Sequence, residues 1–134
     1  MDHNFSGPAF TVGIEEELML VDPQTLELAQ GIETILDDVG DGGPGEVKPE
    51  LMQSVLEIAT GVCGNLDEAA SQLRDLRRRV RECAERNGML LAAAGTHPTA
   101  RWEDQLIVDR PRYRELEGEL GWIARQWAQN HGLL

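Results

Sequence analysis

Glutamates dominate the residues of this sequence that could do chemistry. Gly13-Ile14-Glu15-Glu16-Glu17-Leu18 lies within a stretch of alternating apolar residues. Read as a strand, the alternation sends Glu15 and Glu17 to one face and Glu16 to the other. Two carboxylates that close repel each other, and burying both is costly without a cation. A hard divalent ion with oxygen ligands would hold both ionised. An outward-facing acidic stripe on an edge strand, which discourages aggregation, fits the same residues. The second group is Glu50 and Glu57, in Pro49-Glu50-Leu51-Met52-Gln53-Ser54-Val55-Leu56-Glu57-Ile58-Ala59-Thr60-Gly61-Val62-Cys63. A single charge inside Val55-Leu56-Glu57-Ile58-Ala59 needs a partner if that segment is buried. Lys48 is the only basic residue nearby in sequence, and distant arginines could also serve. Glu50 and Glu57 are seven positions apart, so one regular strand would set them on opposite faces. Bringing them together requires a bulge or a turn between Lys48 and Met52.

The elements that must position these groups follow from periodicity. Ala9 to Val21 alternates as a strand, with Leu18 and Leu20 opposite in parity to Glu15, Glu17 and Met19. Asp22-Pro23-Gln24-Thr25 is a turn, and Leu26–Leu28 reads as a short returning strand. Ile32, Ile35, Leu36 and Val39 have helical spacing, closed near Gly40. Asp41-Gly42-Gly43-Pro44-Gly45 is a loop without the Gly-Lys-Ser/Thr ending of a phosphate cradle. Ser54–Thr60 fits a mostly buried strand or a short helix. Asn65 caps a helix to about Arg86, with Glu68 completing a capping box and Gly88 stopping it. The outer face of that helix carries Arg74, Arg77, Arg78, Arg79, Arg81 and Arg86. An anion-binding face is one reading; a solvated face with Asp75–Arg79 and Glu82–Arg86 pairs is the other. Met89–Ala94 is another buried strand, and a final helix runs from about Asp109 through Tyr113, Leu116, Leu120, Ile123 and Trp127. Strand, helix, strand, helix, strand, helix would by itself suggest a parallel α/β sheet.

Composition bounds the answer. The 134 residues can bury about 65–70% of the unfolded surface, enough for one core. Residues 1–60 hold 13 of the 24 acids and one base, Lys48, while residues 61–134 hold 11 acids and 11 arginines. The whole net charge of −12 therefore lies in the first 60 residues. This argues for no nucleic acid partner, since phosphate backbones need a basic face. No apolar run approaches a membrane span, so no membrane partner is expected. Two cysteines, Cys63 and Cys83, are too few for a disulfide scaffold; small buried hydrophobes in a cytoplasmic setting are the expectation. Trp102, Trp122 and Trp127 read as packing residues.

The ordered set of motifs carries a resemblance. Thr11-Val12-Gly13-Ile14-Glu15-Glu16-Glu17-Leu18, the segment Glu50 to Cys63, Ala93-Ala94-Gly95-Thr96-His97-Pro98, Trp102-Glu103-Asp104-Gln105 and Arg112-Tyr113 occur in this order. Together they resemble the N-terminal part of the bacterial glutamate–cysteine ligase type of carboxylate–amine ligases, from Thr11 to about Gln126. The resemblance implies an α+β fold: part of a glutamine-synthetase-like curved, largely antiparallel sheet with helices on its outer side. That replaces the parallel sheet suggested by element order. It also implies ATP and Mg²⁺ as cofactors, and glutamate and an amine such as cysteine as small-molecule substrates. Glu15, Glu17, Glu50 and Glu57 match positions that would hold Mg²⁺ against the β and γ phosphates. His97 would contact substrate near the sheet mouth, or serve its turn by bonding backbone.

The family continues past the final helix with a His-x-His-x-Gly strand and much further chain. Ala124-Arg125-Gln126-Trp127-Ala128-Gln129-Asn130-His131-Gly132-Leu133-Leu134 stands there instead. The expectation is a flexible arm over residues 1–8 and an incomplete catalytic domain over 9–134, inactive alone. An incomplete sheet would expose an edge and apolar surface, which favours self-association.

Overall fold

The computed structural model describes residues 10–40 and 42–123. The expected arm at residues 1–8 and the tail from Ala124 to Leu134, with Trp127, lie outside the described residues. In chain order the elements are β1 (Glu15–Val21), α1 (Ile32–Val39), β2 (Glu46–Pro49), β3 (Val55–Ala59), α2 (Leu66–Arg86), β4 (Leu90–Ala92) and α3 (Pro111–Leu120). A 3-10 turn spans Trp102–Asp104 between the last two. The strands form one open sheet in the order β2-β3-β1-β4, and every neighbouring pair is antiparallel. The architecture is α+β, and the parallel sheet suggested by element order does not form. The physical reason is visible in the order of strands. β3, α2 and β4 make a crossover whose two strands run parallel to each other, but β1 lies between them and opposes both.

Several boundaries differ from the periodicity. β1 starts at Glu15 rather than Ala9. Val12 and Cys63 exchange backbone hydrogen bonds at 2.9 Å, while Thr60 N–H donates to Ile14 O at 2.9 Å. Gly61 and Val62 therefore stand opposite Gly13 alone, a bulge that interrupts the ladder. The Leu26–Leu28 strand reduces to an isolated bridge between Val21 and Leu28. β2 was not foreseen: it is four residues long with one apolar residue facing the core side, Val47. Pro49 is tolerated there because β2 is an edge strand. Gly45 leads into it with φ of +88°, and a Cβ at that position would lie 2.5 Å from Ala59 O, so a side chain is excluded.

The core lies on one face of the sheet. Leu18 and Leu20 of β1 and Leu56 and Ile58 of β3 pack against Ile32 and Ile35 of α1 and Leu76, Val80 and Cys83 of α2. Each such buried aliphatic side chain stabilises the fold by about 1.5–3 kcal/mol. Residues of the other parity, Glu15, Glu17 and Met19 with Val55 and Glu57, are left for the opposite face. α3 begins with Pro111 at its first turn and adds Tyr113 and Leu116 to a smaller cluster around Leu51 and Met52. It ends at Gly121, where φ is +55°.

α2 keeps its expected cap: Asn65 Oδ1 accepts from Glu68 N–H at 2.9 Å. Glu68 reaches one residue further than in a capping box and accepts from Gly64 N–H at 2.9 Å. Its arginine face is mostly paired, though not as the spacing suggested. Arg79 donates to Gly40 O at 3.0 Å and Arg86 to Asp38 at 2.9 Å, because α1 packs beside α2 and its C-terminal end puts these acceptors within their reach. Cys83 is fully buried beside Asp38, and burial pushes its thiol up, so it is a packing residue rather than a nucleophile.

Candidate functional site

The sheet face away from α1 and α2 forms one wall of a cleft of about 470 Å³. Its floor and walls come from Met19, Met52, Ser54 and Val55, with Ala93–Gly95 following β4. Glu15, Glu17, Glu57 and His97 all line it.

Strand register explains why the acids meet. Glu17 stands directly opposite Glu57, and Glu57 directly opposite Lys48, so the three form one row across β1, β3 and β2. Thr60 N–H donates to Ile14 O and Leu20 N–H to Ser54 O, which puts the ladder bonds at even positions of β1. Glu17 and Glu57 are thus a non-hydrogen-bonded pair, the type in which Cα atoms approach to about 4.5 Å and side chains crowd. Like charges in that position are destabilising unless a cation offsets them. Glu15 stands in the next row, opposite Ala59, with Glu46 across from the same residue.

Lys48 supplies the cation in this structure. Its Nζ is 3.1 Å from Glu57, 3.6 Å from Glu46 and 4.0 Å from Glu15. The hydrogen bond to Glu57 holds the ammonium above its ordinary pKa, and Glu46 and Glu15 add to the effect. The Glu57 side chain is 15% exposed, against 69% for Glu15. Glu16 does turn to the other face. It accepts two hydrogen bonds from Arg77 of α2, at 2.7 and 2.6 Å, which fasten β1 to the helix.

Glu50 stands outside the cleft lining. β2 and β3 form a hairpin, so Glu50 and Glu57 do not share a strand, and the Glu50–Ser54 connection is the turn that the spacing required. The half-buried Glu50 is absent from the cleft lining and its Oε2 accepts from Leu51 N–H at 3.1 Å. It lies close enough to Tyr113 to add to the raising of that phenol, which burial causes first.

His97 lines the cleft but both its nitrogens are used. Nδ1 accepts from Ala100 N–H at 3.0 Å and Thr99 N–H at 3.3 Å, so the ring proton sits on Nε2, which donates to Leu26 O at 2.8 Å. The imidazole staples the 95–100 turn to the turn after β1, and offers a ligand ring carbons rather than a free nitrogen.

Sequence reasoning missed two participants. Glu46 lies on the same face of β2 as Lys48 and pairs with it at 3.6 Å, a spacing of two that could be recognised only once β2 was known. Gln105 is 5% exposed at the cleft edge, where its Oε1 accepts from Gln30 Nε2 at 2.7 Å and from Ser54 Oγ at 3.0 Å. Nothing in its local sequence announces partners 75 and 51 residues away.

Among the described residues, no group of three or more His, Cys, Asp or Glu is gathered as a ready-made metal cage. The donors that do share the cleft are carboxylate oxygens on an open wall. That set fits Mg²⁺, which takes one or two carboxylates and completes its shell with water and phosphate oxygens. It does not fit a structural zinc site, which calls for closed nitrogen and sulfur ligation.

Comparison with known proteins identifies the family. Residues 11–129 match the model of glutamate-cysteine ligase family 2. A protein of Jannaschia sp. (strain CCS1) named "Putative glutamate--cysteine ligase 2" is 40% identical over 126 residues, which are 94% of this chain and 33% of that protein. One of the same name from Solibacter usitatus (strain Ellin6076) is 44% identical over 119 residues, 88% of this chain and 31% of its own length. In Rubrobacter xylanophilus, "Putative glutamate--cysteine ligase 2-3" is 43% identical over 125 residues, 92% and 34% of the two chains. The chain spans about a third of the length of these relatives. With a family match over nearly its whole described length, the chain belongs to glutamate-cysteine ligase family 2.

Proposed function

We propose that this chain forms the cation- and nucleotide-holding wall of an ATP-dependent carboxylate–amine ligase of glutamate–cysteine ligase type. In the reaction so assigned, a γ-carboxylate oxygen of glutamate attacks the γ phosphorus of ATP and ADP leaves. The amine of cysteine then attacks the resulting acyl phosphate, expelling phosphate and forming γ-glutamylcysteine. The observation that carries the reading is the cross-strand meeting of Glu17 and Glu57, with Glu15 beside them, on the wall of a cleft. Mg²⁺, when bound, supplies a Lewis acid that neutralises the phosphate oxygens and stabilises charge as it shifts toward ADP. Glu15, Glu17 and Glu57 would hold it, and Glu50 would join them if its side chain turned from Leu51 N–H toward the cleft. The antiparallel ladder fixes the backbones of Glu17 and Glu57 opposite each other, and their side chains turn together to take up the cation.

The relatives are about three times as long, and the regions they carry outside the matched third would supply the rest of their substrate site. Cation binding without turnover is the outcome expected of the isolated chain. Calorimetric titration with Mg²⁺, repeated on Glu15→Gln and Glu57→Gln, tests the reading: heat in the parent and weaker binding in both variants support it. Absence of heat in all three would leave an acidic interaction module instead. ADP release that requires both glutamate and cysteine would overturn the expected inactivity.

A further inference from the structure

The molecule treats its two inward-facing acids on either side of the sheet differently. Glu16, on the core side, is locked by a two-pronged arginine contact from Arg77. Glu57, on the cleft side, is met by the only lysine in the sequence. An arginine fork fixes a carboxylate, whereas a lysine is a compact charge on a flexible stem that can leave.

We propose that Lys48, beside the cleft rather than in its lining, is a resident counter-cation of the Glu15 and Glu57 carboxylates, which a divalent ion must displace, and that it thereby sets the affinity of the site for cations. The proposal rests on the metal-holding role given above to Glu15 and Glu57. Lys48 Nζ touches carboxylates from three strands, Glu46 of β2, Glu57 of β3 and Glu15 of β1, and two of these belong to the proposed cation site. The Glu57 side chain is too buried to stand unpaired at low cost, so a cation is needed whether or not a metal is present. Lys48 sits on an edge strand with its side chain 41% exposed, so its head can swing to solvent while its stem stays on the sheet. An ammonium and a divalent ion on one carboxylate repel each other, so loading the site drives the lysine out. The empty site would then keep part of its negative charge offset, and a cation would have to outcompete an amine to enter.

A single lysine makes the test direct. The chain labelled with ¹⁵N-lysine has one side-chain ammonium resonance, to be followed as Mg²⁺ is added. Calorimetry with Mg²⁺ is run in parallel on the parent, on Lys48→Met and on Arg81→Met, a charge-matched change on the far side of the sheet. The expected result is a shift of the lysine resonance that tracks Mg²⁺ binding. Affinity should rise about tenfold in Lys48→Met, the scale on which a neighbouring charge moves an ionic equilibrium. Arg81→Met should stay within about twofold of the parent, being screened at that distance. Mg²⁺ binding in the parent with a stationary lysine resonance overturns the displacement and leaves the metal site standing. Equal or weaker binding by Lys48→Met overturns the role in affinity. No Mg²⁺ binding by any of the three overturns both this inference and the reading it rests on. The resonance needs no variant, so a misfolded Lys48→Met would not remove the test.

Discussion

Replacing Glu57 with glutamine separates what this residue does for the fold from what it does for the cleft. Two opposing terms set the effect on stability. The variant weakens a hydrogen bond from Lys48 that is 3.1 Å long. A bond to a charged group is worth about 1.5–3 kcal/mol when sheltered. The Lys48 side chain is 41% exposed, so solvent screening reduces that to about 1 kcal/mol, and the amide oxygen can still accept. Against this, the variant relieves the like-charge pairing with Glu17, which costs about 0.2–1 kcal/mol in a cross-strand position. The terms nearly offset, leaving a net change within about 1 kcal/mol, or about 3–5 °C in Tm for a domain of this size. Binding has no such compensation. Loss of one carboxylate charge from the site should weaken Mg²⁺ at least about tenfold, or about 1.4 kcal/mol. Thermal unfolding by circular dichroism and calorimetric Mg²⁺ titration read the two quantities separately. A Tm fall of more than about 10 °C would show that Glu57 is a structural ion-pair member first, refuting the balance of terms. An unchanged Mg²⁺ affinity at an unchanged Tm would remove Glu57 from the cation site.

Arg77→Met breaks the contact between α2 and Glu16; with Arg77 half exposed, the loss should be about 1 kcal/mol in chemical denaturation, with Mg²⁺ affinity unaltered. Alkaline pH should destabilise the fold. The pKa of Lys48 is raised in the folded state by Glu57, so its contribution is complete below the unfolded value of about 10.4 and disappears as pH rises through the higher folded value. Tyr113, raised mainly by burial while donating to Pro49 O at 2.7 Å, acts in the same direction. Denaturation midpoints measured from neutral to strongly alkaline pH should fall, and fall less in Lys48→Met; a flat profile would contradict the assignment. Leu90 on the β4 edge is 37% exposed, and Trp122 and Ile123 after α3 are 61% and 52% exposed, so size-exclusion chromatography with light scattering is expected to show self-association; a clean monomer would count against it.

What could be read in advance followed from local periodicity. The parity of β1, the cap of α2 and the burial of both cysteines depend on neighbours within a few residues, and all three appear in the structure. The pairing of Glu17 with Glu57 did not follow, because it depends on the register between strands 40 residues apart. Parity assigned Glu17 a face, but only the ladder assigned it an opposite number. β2 was invisible because Glu-Val-Lys-Pro has neither the length nor the apolar content of a strand, and its pairing with β3 is what places Lys48. The same omission left the relation of Glu50 to Glu57 undecided, since a hairpin rather than a bulge lies between them. Insertion of β1 into the β3–α2–β4 crossover escaped for a related reason: element order is local, whereas strand order is not.

The proposed function requires a divalent ion bound against the cleft wall. Mn²⁺ added in substoichiometric amounts to the ¹⁵N-labelled chain broadens amide signals in proportion to their closeness to the ion. Selective broadening at Glu15–Glu17, Glu57 and Ala93–Gly95, with Arg78–Glu82 of α2 spared, is the result this account predicts. Broadening spread over the acidic surface, or centred on Asp37 and Asp38 or on α2, would contradict it.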